Sequence, residues 1–143
     1  KKIFLKFKKK FKINKNIFID RAESKFSHCQ IINRSELKKY LKKKKFKIVK
    51  LASQSFAKQI YMFWNANCII GAHGAALTNL VFSKPKTKVI ELKPFRHPGK
   101  NYQRISKVNS LHYYSIESER KYLKNKNGDI FVDLKKLDRK INL

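Results

Sequence analysis

"CIIGAHGAALTNLVF", residues 68 to 82, decides how this chain folds. An apolar run, Cys68 to Ile70, ends at Gly71. His73 and a second glycine, Gly74, follow, and then comes a stretch whose Leu77, Leu80 and Val81 mark one helix face. The chain has only four glycines, and two of them bracket His73. A short continuous apolar run bounded by glycine reads as a buried parallel strand. A helix starting at the carboxyl end of such a strand presents unpaired N–H groups and a partial positive charge, which suits an anion if the backbone can be approached. On this reading Gly71 and Gly74 remove obstructing Cβ atoms, Ala75 and Ala76 keep the first turn small, and His73 adds a donor. The plainer reading is that the glycines permit a tight turn and His73 caps it.

Working outward, the chain alternates strands with helices. "NIFID", 16 to 20, is a short buried strand closed by Asp20 and Arg21. Asn33 caps a helix, with Glu36 three residues on and Ile32 and Leu37 as a hydrophobic staple. "FKIVKL", 46 to 51, is a second strand. Ser55 caps a helix whose apolar positions are 56, 60, 63 and 64. "KVIEL", 88 to 92, and "HYYSI", 112 to 116, are further strands, separated by a helix over about 101 to 109. This order predicts an α/β fold, a Rossmann-like parallel sheet with flanking helices that binds ligands beyond the carboxyl ends of its strands. The organisation is residues 1–15 as a basic connector or frayed end, 16–117 as the folded domain, and 118–143 as a charged tail with a turn at Asn127-Gly128 and a short terminal helix.

Length and composition agree. The 143 residues suit one domain, and 42% hydrophobic with 13% aromatic content argues for a packed core. No apolar run approaches the roughly 20 residues that span a bilayer, and no secretory signal is visible. Met62 is the only methionine, so more protein is expected before Lys1. The formal charge of +27 has two readings: an anionic partner such as nucleotide, nucleic acid or membrane surface, or a lysine-rich composition spread over a solvated surface. Cys29 and Cys68 form no C-x-x-C pair and have no histidine at metal spacing. A reducing, cytoplasmic setting fits, with room for peripheral association with an anionic membrane.

An ordered series of motifs resembles the carboxyl-terminal half of glycosyltransferase family 61. It comprises a strand ending in Arg21, then "IINRSEL" at 31 to 37, "SFAKQI" at 55 to 60, "GAHGAALTNLVF" at 71 to 82 and "VIELKP" at 89 to 94. Gln30 stands where the family usually has Arg, and Arg34 where a Glu is common. The resemblance implies the carboxyl-terminal domain of a GT-B enzyme, an inverting transferase of GlcNAc, xylose or arabinose that works without a bound metal or other cofactor. Bacterial relatives are associated with cell-surface polysaccharide.

This chain would then be the donor-binding half, incomplete and inactive alone, with the general base in an amino-terminal domain. Its partners would be a nucleotide sugar, UDP-linked, and a glycan or protein acceptor. Arg21, His73, Gly74 and Ala75 become the expected diphosphate site. Ser53, Ser55 and Glu91 are candidates for the nucleoside, with Glu91 alternatively fixing Arg21. Gln59 and Asn79 read as structural. His28, His97 and His112 show no partner pattern and read as surface or loop residues. The rivals are a basic nucleic-acid-binding module, which would need aromatics exposed beside clustered cations, and a non-catalytic scaffold domain.

Overall fold

In the computed structural model, residues 15–21, 28–119 and 128–143 are described. The proposed connector over 1–14, most of the loop after Arg21 and Asn127 of the expected turn lie outside them. Five apolar runs form strands: β1 (Asn16–Ile19), β2 (Lys47–Val49), β3 (Cys68–Ala72), β4 (Lys88–Lys93) and β5 (His112–Glu117). They make one sheet in the order β2-β1-β3-β4-β5, and every pairing is parallel. The α-helices are α1 (Arg34–Lys43), α2 (Phe56–Asn65), α3 (Asn101–Val108) and α4 (Leu134–Asn142). Each predicted strand is present, with ends no more than two residues from the predicted ones.

Side chains alternate across the sheet, as the strand period requires. Phe18, Ile70, Ile90 and Leu92 point to one face, where Leu37 and Leu41 of α1 and Leu137 of α4 cover them. Ile17, Ile19, Ile69 and Val89 point to the other, against Phe63 of α2, Leu77, Leu80 and Tyr102 of α3. The chain runs from β1 outward to β2, then returns past β1 to β3 and continues the opposite way to β5. The order therefore reverses between β1 and β3, and a doubly wound sheet binds its ligand at the carboxyl ends that flank such a switch point.

Three sequence expectations change. The helix expected after Gly74 is present over Ala75–Phe82 in 3-10 form, and Val81 leaves its buried face. Their burial repeats every three residues. Ala75, Thr78 and Val81 are exposed, Ala76, Asn79 and Phe82 are half-buried, and Leu77 and Leu80 are buried. A three-residue turn superimposes positions i and i+3, so it seats both leucines on the sheet and leaves Val81 outside.

Asn33 does not cap α1 with its side chain. Its amide instead clasps the backbone of Val132, donating to the carbonyl at 2.9 Å and accepting from the N–H at 3.0 Å. This continues the parallel bridge between Ile31 and Ile130.

The described part of the 118–143 segment is built into the core. Ile130, Val132 and Leu137 are no more than 1% exposed and belong to the cluster on the α1 face. Asp133 caps α4 by accepting from the N–H groups of Lys135 and Lys136 at 2.8 and 3.0 Å. The packed unit thus continues past residue 117.

Candidate functional site

Parallel pairing sets Ile19 opposite Gly71, so the two residues that leave β1 lie level with the last residue of β3 and the one after it. Asp20 and Arg21 emerge beside Ala72 and His73 at the switch point. Asp20 is buried, and it is Arg34 that pairs with it, through Nε at 2.8 Å and Nη2 at 2.7 Å, with Lys38 at 3.1 Å. Burial pushes the Asp20 carboxyl up, but these two cations outweigh it and hold the group below the ordinary carboxylate value. The Arg34 that departs from the family pattern therefore neutralises Asp20.

Arg21 reaches across to the β3 turn, and its Nη1 donates to the carbonyl oxygen of His73. Its guanidinium lies on the Cα of Gly74. A Cβ there would sit 2.5 Å from Cζ and 3.0 Å from Nε, and the Gly74 φ of +153° lies where other residues are strained. Gly74 thus makes room for the arginine, which itself occupies the space that sequence reading reserved for an approaching anion. Gly71 also differs from expectation. A Cβ there would meet Leu77 Cδ2 at 3.0 Å, so this glycine lets the 3-10 helix settle on β3. The first bond of that helix runs from Leu77 N–H to Gly74 oxygen at 2.9 Å. The amides of Gly74, Ala75 and Ala76 precede it and have no partner within the helix.

His73 extends the sheet by one bond, its N–H donating to Leu92 oxygen at 2.8 Å. Its Nδ1 lies 2.5 Å from Oε1 of Glu91, which is 1% exposed. The Tyr113 hydroxyl of β5 donates to the other carboxylate oxygen. Burial and the adjoining Glu91 raise the Tyr113 phenol, which keeps it a donor. Glu91, a sequence candidate for ribose hydroxyls or for fixing Arg21, is bonded instead to His73 and Tyr113. With Nδ1 engaged, Nε2 is the His73 atom left to face a ligand.

The loop after β4 closes over this imidazole. The His97 ring centroid is 3.8 Å from that of His73, and Tyr102 lies 5.1 Å away on another side. His97 Nδ1 accepts from the Gly99 N–H at 3.1 Å, and Lys93 Nζ donates to the Gly99 carbonyl at 3.0 Å. Burial, then His73 and Lys93, lower the His97 imidazole below its ordinary value. Sequence reading takes His97 as a surface or loop residue, and it does lie in a loop, half-buried; Tyr102 and Tyr113 are given no role. Tyr113 becomes relevant only through the β4–β5 register, which puts it opposite Val89.

Ser53 and Ser55 follow β2, one strand out from β1 on the same carboxyl edge. Both are exposed beyond β2, on the outer side of β1. Ser53 Oγ donates to Lys50 oxygen at 2.9 Å and accepts from Gln54 at 2.8 Å. Ser55 occupies the cap position of α2 without a side-chain cap bond. Gln59 holds the β2 turn, donating to the oxygens of Leu51 and Gln54 at 3.1 and 3.0 Å, and accepts from Asn79 at 3.1 Å.

Two grooves lie elsewhere. One of about 810 Å³ runs between β5 and α4, and one of about 340 Å³ follows Arg34, Lys38 and Lys42 on α1. Neither is lined by Arg21, His73 or Gly74, so volume alone does not locate the chemistry. Among the described residues, no group of three or more His, Cys, Asp or Glu could hold a metal ion.

Comparison with known proteins agrees with the motifs. The family described as Glycosyltransferase 61 matches residues 1–90. A beta-1,2-xylosyltransferase of Oryza sativa subsp. japonica is 37% identical over 65 residues, 46% of this chain and 12% of that protein. A beta-1,2-xylosyltransferase of Arabidopsis thaliana is 33% identical over 66 residues, again 46% of this chain and 12% of the relative. The stretches matched are thus about an eighth of the length of either relative. The family match includes Arg21, His73 and Gly74 and stops one residue before Glu91.

Proposed function

The chain belongs to the glycosyltransferase 61 family, and from that premise we propose that it binds the nucleotide-sugar donor of an inverting, UDP-sugar-dependent enzyme of GT-B architecture. Xylose is the sugar named for both relatives, so a pentosyl donor is the first to try. A glycan would be the acceptor.

One observation carries this reading: Arg21 bonds the His73 carbonyl beside Gly74 at the switch point of a parallel sheet, where the 3-10 helix begins. The reaction would be a displacement at the anomeric carbon, in which the bond to the diphosphate breaks as the acceptor oxygen bonds. Negative charge grows on the departing diphosphate. Prealigned donors lower the barrier most where charge develops. Arg21 offers a planar fork suited to phosphate oxygens. The carbonyl of His73 and the bare Cα of Gly74 fix that fork in place. His73 Nε2 faces the same charge, with its ring held by Glu91. The base that deprotonates the acceptor would come from the domain facing this one in a GT-B pair.

Titration calorimetry with UDP tests the reading. Binding that falls by about 10- to 150-fold in Arg21→Ala, the equivalent of one hydrogen bond to a charged group, supports it. A folded chain that ignores UDP but binds DNA in a salt-sensitive way would shift the case to the nucleic-acid module.

A further inference from the structure

We propose that His97 is a second anion-binding imidazole of this site and that it takes up a proton from solvent when a diphosphate binds. The inference rests on the nucleotide-sugar reading above and extends it to a residue outside the family match.

The geometry supplies the argument. Two imidazoles face each other with centroids 3.8 Å apart at the carboxyl edge of β3 and β4. Each has one nitrogen committed. His73 Nδ1 is bonded to Glu91, and His97 Nδ1 accepts from Gly99 N–H. Neither Nε2 has a hydrogen-bond partner among the described residues. The commitments differ in kind. An Nδ1 that accepts from a backbone N–H holds no proton, so the neutral His97 ring carries its proton on Nε2. A metal ion needs a bare nitrogen, whereas an N–H suits an anionic oxygen. The free edge of His97 therefore selects an anion.

The surroundings determine when the ring charges. His97 faces His73 beyond β3, Glu91 and Lys93 on β4, and Glu117 on β5. Tyr102 of α3 and Arg21 flank His73, and Arg96 in the same loop gives its N–H to Glu117. Burial, with His73 and Lys93 beside it, lowers the His97 imidazole and keeps it neutral near pH 7. A bound diphosphate adds negative charge beside the ring and reverses that balance. The added proton goes to Nδ1, so the Gly99 N–H gives up its bond there as the ring charges. Gly99 packs on both rings, and a Cβ there would lie 2.8 Å from His97 Cε1 and 3.1 Å from His73 Cε1.

UDP is the probe, titrated calorimetrically between about pH 7 and 8.5, above the phosphate's own ionisation near pH 6. Two buffers of different ionisation enthalpy report proton uptake. The wild-type chain should take up a proton on binding, up to one per UDP, and lose affinity by up to about tenfold per pH unit. His97→Gln keeps a donor but cannot charge. It should bind without uptake and show a flat pH profile. Imidazole NMR of the wild type gives a second measurement that does not depend on the variant folding: the His97 titration midpoint should rise when UDP saturates the site. Uptake that persists in His97→Gln, or an unmoved midpoint in saturating UDP, would overturn the role of His97 while leaving the donor site intact. A folded wild-type chain that does not bind UDP would remove the donor-site reading and this inference together.

Discussion

Replacing Gly74 by Ala drives a methyl group into the Arg21 guanidinium. The new Cβ would lie 2.5 Å from Cζ, where carbon–carbon contact needs about 3.5 Å or more. The guanidinium must retreat by roughly an ångström, and its bond to the His73 carbonyl is lost. A hydrogen bond to a charged group is worth about 1.5–3 kcal/mol. The alanine must also adopt a φ near +153°, and strained backbone of that kind costs about 1–3 kcal/mol. The two parts separate in a double-mutant cycle. In an Arg21→Ala background the methyl has room, so Gly74→Ala should cost only the backbone strain. The coupling from denaturant unfolding should then approach 1.5–3 kcal/mol, well above the ~0.5 kcal/mol of independent sites. UDP affinity should fall alike in either single mutant and little further in the double. If Gly74→Ala costs the same with and without Arg21, the glycine serves backbone conformation alone and the seating of the arginine is wrong.

His73→Ala should lower both stability and UDP affinity, because among the described residues it leaves the buried Glu91 with Tyr113 as its one remaining hydrogen-bond partner. Leaving a buried polar group short of a hydrogen-bond partner costs about 1–3 kcal/mol, and adding Glu91→Gln should recover part of that in thermal melts while binding stays weak. Acid should destabilise the fold through His97. Its imidazole titrates below the ordinary value in the folded chain, so the unfolded chain takes the proton first as pH falls through about 6.5. Unfolding midpoints across that range should drop in the wild type and flatten in His97→Gln; equal slopes would exclude His97 as the source. Asp20→Asn should destabilise at neutral pH, where the wild-type carboxylate pairs with Arg34 and Lys38. Because the folded Asp20 value is depressed, its contribution is complete above about pH 4 and lost below. The two proteins should therefore converge in stability in acid.

The strands were legible because each is a short apolar run bounded by polar residues. Arg21 and the His73-Gly74 turn are singled out by their place at strand ends and by the family motifs, and the structure sets them side by side. What the sequence hid depends on pairing at long range. The purpose of Gly74 is seen only once Arg21, more than fifty residues earlier, lies against it. Glu91 read as a buried acid in need of a partner, which was sound, but register alone shows that His73 and Tyr113 fill that need. The period-three burial of 75–82 was in the sequence as Leu77 and Leu80, yet Val81 fits an α-helical face equally well, and packing decided against it. Asn33 followed by Glu36 has the form of a capping box, and a competing partner at residue 132 took the side chain. The sequence order of the strands could not reveal that β3 crosses β1, which creates the switch point.

The clasp between Asn33 and Val132 joins residues 99 apart in the chain. Closing so long a loop costs entropy that grows with the logarithm of its length, so this contact is expected late in folding, after the sheet provides a surface to close upon. In the native state the same contact marks a seam. The segment carrying Ile130, Val132 and α4 can peel from α1 while the parallel sheet stays paired, a subglobal opening of lower free energy than complete unfolding. Amide exchange in α4 should then run ahead of exchange in β3 and β4. That seam borders the switch point, because Arg34, next to Asn33 in the chain, is the partner of Asp20 there.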